Sequence, residues 1–238
     1  MQSRFRVLIQ QFRMSYLCSL SWCLWLLAPV LLLSACNILA PASYVVGGTG
    51  MNPAEHELDE MKTLVFVDDR KNVLPRTVLR VNLSEDISLL LLELELVPGT
   101  VDPGDAMAMV RSRERNGQIM SIESIARDAG VKQVLFIEME SFGQLQRSAD
   151  LRPNASCLIR VMHFGQGGRV YPTGDIEDPD GGTRRVSVQL REVAPSQMRS
   201  TADRRRIEAS VIQQLAANVT KLFYKHDARD LGENLGIR

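Results

Sequence analysis

Cys36 is the first side chain in this 238-residue sequence whose setting suggests a reaction. It follows Leu33, Ser34 and Ala35 and lies near the end of an uncharged run of 24 residues, 17–40. A cysteine thiol can carry a diacylglycerol group, and small side chains before it let a peptidase cut in front of it. Asp68, Asp69 and Arg70 put two carboxylates and a guanidinium at the end of an apolar stretch, where α/β sheets often gather ligands. They form a candidate ligand or partner surface. The plainer reading is a solvated strand end with Arg70 and Lys71 as partners, and the scarcity of other site signals favours it.

The remaining chemistry-bearing residues do not assemble into a motif. His56, His163 and His226 lack the His-x-x-x-His or Glu-x-x-His spacing of a metal site and read as surface or packing residues. The acidic loop Asp175–Gly182 puts Ile176 where the first ligand of a calcium loop belongs, so it reads as a solvated turn. No Gly-x-Ser-x-Gly or Ser-x-x-Lys element marks a serine nucleophile. Gly165–Gly168 lacks the lysine and the following helix that would cradle a phosphate. Cys157 sits in an alternating stretch and reads as a small buried hydrophobe. The expectation is a protein that is not an enzyme and carries no metal and no cofactor.

The elements that position Cys36 are those of an export signal. Residues 1–35 hold Arg4, Arg6 and Arg13 and no acid, and a long apolar segment follows. A basic start, an apolar middle and small residues at the end mark a secretory signal peptide. Met14 offers a second start. Leu33 to Cys36 resembles the bacterial lipobox, which implies cleavage before Cys36 and a lipid on its thiol. An uncleaved anchor competes, since the run is long enough to span a bilayer and Pro29 would only kink it. A signal cut without lipid is the other alternative. An uncleaved anchor gives no reason for the small-small-Cys ending. Asn37, rather than Asp, favours the periplasmic face of the outer membrane over the inner membrane.

Composition narrows the partners. The full chain balances 28 Lys and Arg against 28 Asp and Glu, so loss of three arginines with the leader leaves a net charge of −3. A mildly acidic chain with scattered charges excludes a dedicated nucleic-acid binder. Arg204-Arg205-Arg206, the one basic run, opens a predicted helix. With Cys18 and Cys23 in the leader and Cys36 acylated, Cys157 has no disulfide partner.

The spacing then predicts a spacer over 36–61, a single α/β domain over 62–226 and a polar tail over 227–238. The spacer, with Pro41, Gly47–Gly50 and Pro53 and no sustained period, reads as flexible or loosely packed, with a coil-like span of roughly 28 Å. Within the domain, Thr63–Asp69 reads as a buried strand. Asn82–Leu96 reads as a helix capped by Asn82 with Glu85, whose leucine density implies more than one covered face. Short helices follow from Asp102 to about Arg113 and from Ser121 to Gly130, the latter closed in the left-handed conformation. Val131–Phe142 reads as a central strand. Asn154–Phe164 and Thr183–Val193 read as further strands, with Gly165–Gly168 turning into a hairpin at Arg169–Tyr171. A long helix runs from about Thr201 to Tyr224 with Val211, Leu215, Val219 and Leu222 on one stripe. Val65, Val67, Leu90, Ile125, Val134, Leu135, Ile137, Ile159, Val161, Val211, Leu215 and Leu222 are the expected core. The order implies a two- or three-layer sandwich with a mixed, largely antiparallel sheet.

Three segments together carry a family resemblance: KTLVFVDDRKNVLP, IARDAGVKQVLFIEMESF, and SCLIRVMHFGQGGRVYP with a final helix ending LFYKHD. The unit Ala126–Phe142 resembles an element of bacterial envelope lipoproteins. These include the penicillin-binding-protein activators, the curli-secretion lipoprotein and the amino-terminal domain of the Tol translocation protein. Here Val131 replaces the usual Ala and Glu138 the usual Gly. The resemblance implies a small α/β domain used for binding, attached to the membrane by the lipid on Cys36 and meeting envelope proteins or cell-wall components. A subunit of a secretion or assembly complex is an alternative reading, and a hydrolase whose site forms only in the fold is another.

Overall fold

β-Branched and aromatic residues bounded by charge make Thr63–Asp68 (β2) a strand with all six residues buried. The computed structural model describes residues 51–114, 120–143, 152–173, 182–194 and 199–227. All belong to one unit, Met51–Arg238. The leader, Cys36, the spacer up to Gly50, Asp175–Gly181 and the tail beyond Asp227 lie outside the described residues.

The elements in chain order are β1 (Met51–Asn52), β2, α1 (Val78–Glu93), α2 (Pro103–Glu114), α3 (Ile122–Asp128), β3 (Gln133–Phe142), β4 (Asn154–His163), β5 (Gly168–Tyr171), β6 (Arg184–Gln189), α4 (Thr201–Thr220), a 3-10 turn (Lys221–Phe223) and β7 (His226–Asp227). β2 pairs parallel with β3, which pairs antiparallel with β4. The far edge of β4 is shared by two short strands in succession. β5 meets Val161–His163 and β6 meets Asn154–Ile159. The mixed, largely antiparallel sheet and the long C-terminal helix are as the sequence implies.

Register fixes the two sheet faces, because alternate residues point to opposite sides. One face carries Val65, Val67, Leu135, Ile137, Met139, Cys157, Ile159 and Val161, all buried. α1 and α4 pack against each other and cover sheet strands, with Leu79, Leu83, Ile87, Val211, Leu215 and Val219 buried. Of the expected core residues only Leu90 lies outside the fully buried set; it is half-buried beside it. On the other face Phe66 and Phe136 stack at 6.1 Å across β2 and β3.

Helix ends follow local chemistry. Ser121 accepts from the Ser124 amide, and Gly130 turns the chain at φ +70° after α3, as its sequence predicts. Ser200 and Asp203 form a reciprocal capping box on α4. The cap expected at Asn82 is not there. α1 begins four residues earlier at Val78, because Thr77 already has helical dihedrals, and Asn82 lies one turn inside.

The spacer is the larger correction. Residues 51–61, expected to be loosely packed, lie against the domain as a strap. Met51 and Asn52 pair with Asp227 and His226, and the Glu55 and His56 amides donate to the Leu222 carbonyl. The Asp59 amide donates to Gln133 Oε1, whose Nε2 donates back to the Asp59 carbonyl and to Thr63 Oγ1. Side chains chosen for long-range partners, not for a local period, hold this segment.

Candidate functional site

The predicted pair Asp68 and Asp69 ends β2, but it is not solvated: each residue is 7% exposed. The two carboxylates do different jobs. Asp69 folds the following turn, accepting from the Val73 amide at 2.8 Å and the Leu74 amide at 3.3 Å. Its role is structural, as in an Asx-type turn. Asp68 lies opposite Glu138 in the parallel β2–β3 register and faces an open cleft.

That cleft, about 380 Å³, is bounded by the end of β2, the first turn of α3 and the middle of β3 and β4. Met120, Ile122 and Phe136 supply its apolar wall. Arg70, Lys71 and Arg160 supply three cations against the two carboxylates. Arg70 pairs with Asp68 at 3.4 Å, as its place in the sequence suggests. Lys71 does not join the Asp68–Asp69 pair; it reaches Glu138 at 3.0 Å. Arg160 donates to the other Glu138 oxygen at 3.3 Å and lies over the Phe136 ring, 5.1 Å from its centroid. Such a stacked guanidinium keeps its plane fixed. Its Nε is shielded from solvent and has no hydrogen-bond partner among the described residues. Burial holds the Asp68 carboxyl above the usual carboxylate range, against the opposing pull of Arg70 and Arg80. The cleft lining therefore sets three cations against two carboxylates.

No family model matches the chain, and no curated protein matches it in sequence. Among solved structures, a variant PelC dodecamer from Paraburkholderia phytofirmans aligns with 74% of this chain and 96% of its own, at 12% identity and TM-score 0.39. Lipoprotein GNA1162 from Neisseria meningitidis aligns with 68% of this chain and 100% of its own, at 13% identity and TM-score 0.35. Hypothetical protein CT253 from Chlamydia trachomatis aligns with 68% of this chain and 98% of its own, at 14% identity and TM-score 0.36. Likenesses this distant assign the chain neither a family nor a function.

A second polar cluster lies where the strap crosses the β5–β6 edge. Glu55 accepts from Tyr171 Oη at 2.7 Å and from Arg184 Nε and a terminal nitrogen at 2.8 and 2.7 Å. It bridges the two half-strands beside β4. The Arg184 hydrogen bonds hold the Glu55 carboxyl below its ordinary range, with Tyr171 adding to the effect. Burial, then the Glu55 hydrogen bond, raises the Tyr171 phenol. His56 stacks on Tyr171 at 5.1 Å, and burial lowers its pKa.

The other predicted residues stay apart from the cleft. His163 is buried; its Nδ1 accepts from the Gly165 amide, and Nε2 lies 3.6 Å from Asp59 without a hydrogen bond. His226 sits in β7. Cys157 is buried, and burial pushes its thiol up to about 12. No group of three or more His, Cys, Asp or Glu is placed to hold a metal among the described residues. Nor is any described helix long and apolar enough to cross a membrane. The residues missed in sequence are Phe136, Glu138 and Arg160, and Lys71, read there as a partner of the aspartates, pairs with Glu138 instead. Glu138 carried a signal, a carboxylate set between the apolar Ile137 and Met139 of a central strand.

Proposed function

We propose that this chain is a lipid-anchored, non-catalytic accessory protein of the bacterial envelope whose cleft binds an anionic group on an envelope protein or cell-wall component. The observation that carries the reading is the cleft itself: Arg70, Lys71 and Arg160 against Asp68 and Glu138. A carboxylate or phosphate entering beside Glu138 would complete the coordination of Lys71 and Arg160 while its apolar part lies on Met120, Ile122 and Phe136. The lipobox-like ending at Cys36 supports attachment through lipid, and Asn37 supports the outer membrane.

The binding test uses the full chain in detergent, titrated calorimetrically with soluble wall fragments and with an acidic peptide. Saturable binding to either, weakened by K71E and by R160A, is expected. Turnover of a wall or lipid substrate, lost on changing Asp68, Asp69 or His163, would make the protein a hydrolase and overturn the reading. For the anchor, C36S should accumulate as an uncleaved precursor, and mass spectrometry should find Cys36 as the acylated amino terminus of the wild type. Finding residues 1–35 retained in wild-type cells would replace the lipid with an uncleaved anchor.

A further inference from the structure

α1 has apolar residues on two sides. Leu79, Leu83, Ile87 and Leu91 face inward and are fully buried. Outside, Val78 is 48%, Leu89 57% and Leu92 39% exposed, with Leu94 40% exposed just past the helix end. At 3.6 residues per turn Val78, Leu89 and Leu92 fall on one stripe, about 21 Å long at 1.5 Å per residue. The stripe starts beside a groove of about 270 Å³ between α1 and α2, lined by Thr77, Val78, Val81, Met107 and Val110 among others. Exposed large hydrophobic residues among the described ones are confined to these four positions and Met51.

Arg80 and Arg111 line the groove at the Val78 end, while the charges around the leucines at the other end of α1 are acidic. Glu85 projects on the stripe between Val78 and Leu89, Asp86 and Glu93 lie to one side, Glu95 follows the helix end, and none has a salt bridge among the described residues. By contrast Glu123 and Asp128 on α3, and Asp203 and Glu208 on α4, each pair with an arginine. Burial, and next Glu85, raise the Asp86 carboxyl, a sign that no cation offsets the crowding.

We propose that the outer face of α1 is a docking surface for a basic amphipathic helix of a partner protein. Its apolar residues would lie on Leu89 and Leu92, at the end of α1 away from Arg80 and Arg111, and its Lys and Arg would meet the carboxylates around them. The charge pattern decides among occupants. Four carboxylates beside the leucines oppose an anionic bilayer. A second copy is a poor fit, because the basic run Arg204–Arg206 has no exposed large apolar residue beside it. This surface is separate from the cleft, and the proposal stands without it.

A photo-reactive amino acid placed at Leu89 or Leu92 of the full chain, in the producing cells, tests it. The cross-linked peptide, sequenced by mass spectrometry, should come from another protein and show helix-period apolar residues interleaved with Lys and Arg. Yield should fall about tenfold or more in the E85K/E93K double variant, where attraction becomes repulsion. Both positions are exposed, so circular dichroism of that variant should match wild type. A label at Glu57 should give background yield. The proposal is overturned if the cross-links go only to residues 17–33 of the same chain, to a second copy or to lipid. It is equally overturned if yield ignores the charge reversal or stays at the Glu57 background.

Discussion

The strap and the cleft use the same residue types to opposite ends. At the strap, Glu55 takes three hydrogen bonds from Tyr171 and Arg184, which tie the strap to β5 and β6. At the cleft, Glu138 is divided between Lys71 at 3.0 Å and Arg160 at 3.3 Å, and the shielded Arg160 Nε has no partner among the described residues. About 17 Å of β2 separates the strap end of the strand, at Thr63, from Asp68, at 3.3 Å per residue. The strap cluster holds chain to chain, while the cleft cluster lines an open surface that a ligand can reach.

The heaviest blow falls on both regions together. Leu135→Ala, beneath the sheet they share, should cost about 2–5 kcal/mol in denaturant unfolding and loosen both equally. Glu55→Ala should separate them. It removes the charged hydrogen bonds of Arg184 and Tyr171, and with these groups half exposed the loss should be about 1–3 kcal/mol. Hydrogen exchange should quicken in 51–61 and in β5 and β6 but not at the cleft; equal quickening of β2 would break the contrast. Arg160→Ala should do the reverse, with melting nearly unchanged while affinity for the bound anion falls roughly 10–100-fold, as expected for one charged hydrogen bond.

Acid gives the subtlest separation, because the two regions titrate with opposite sign. His56 and Glu55 are depressed in the fold, from 6.5 and 4.5. Their contributions are complete above those ordinary values and are lost as pH falls through the folded ones. Asp68 is raised from 3.8. Its contribution is complete below that value and is lost as pH rises through the folded one. Hydrogen exchange followed from pH 7 down to 4 should show the strap loosening first, beginning below 6.5 where His56 gains its proton, while the end of β2 holds. Simultaneous loosening would mean the regions are not independent.

What the sequence revealed divides along the same line. β2, β3, β4 and α4 were legible because each writes its own period: an apolar run, an alternation, a stripe. Ser121 and Gly130 were legible because caps act within a few residues. The strap was not, since Glu55 meets Tyr171 and Arg184 from 116 and 129 positions away. Proline and glycine before it looked like a linker. At the cleft, Asp68 and Arg70 could be picked out as neighbours, but Lys71, Glu138 and Arg160 meet only once three strands are in register. The misreading of Asp68 and Asp69 as solvated has the same source: β2 packs against α1 and β3, which local composition does not announce.

The two half-strands beside β4 also set how the molecule bears load. A pull on the chain at Met51 first opens the short β1–β7 ladder one rung at a time. It then reaches Glu55, which grips β5 and β6 together and passes tension to both at once. Force entering from the amino-terminal side is thus spent at the far edge of the sheet. The parallel β2–β3 pair that frames the cleft, lying on the opposite side of β4, stays mechanically quiet until that grip has failed.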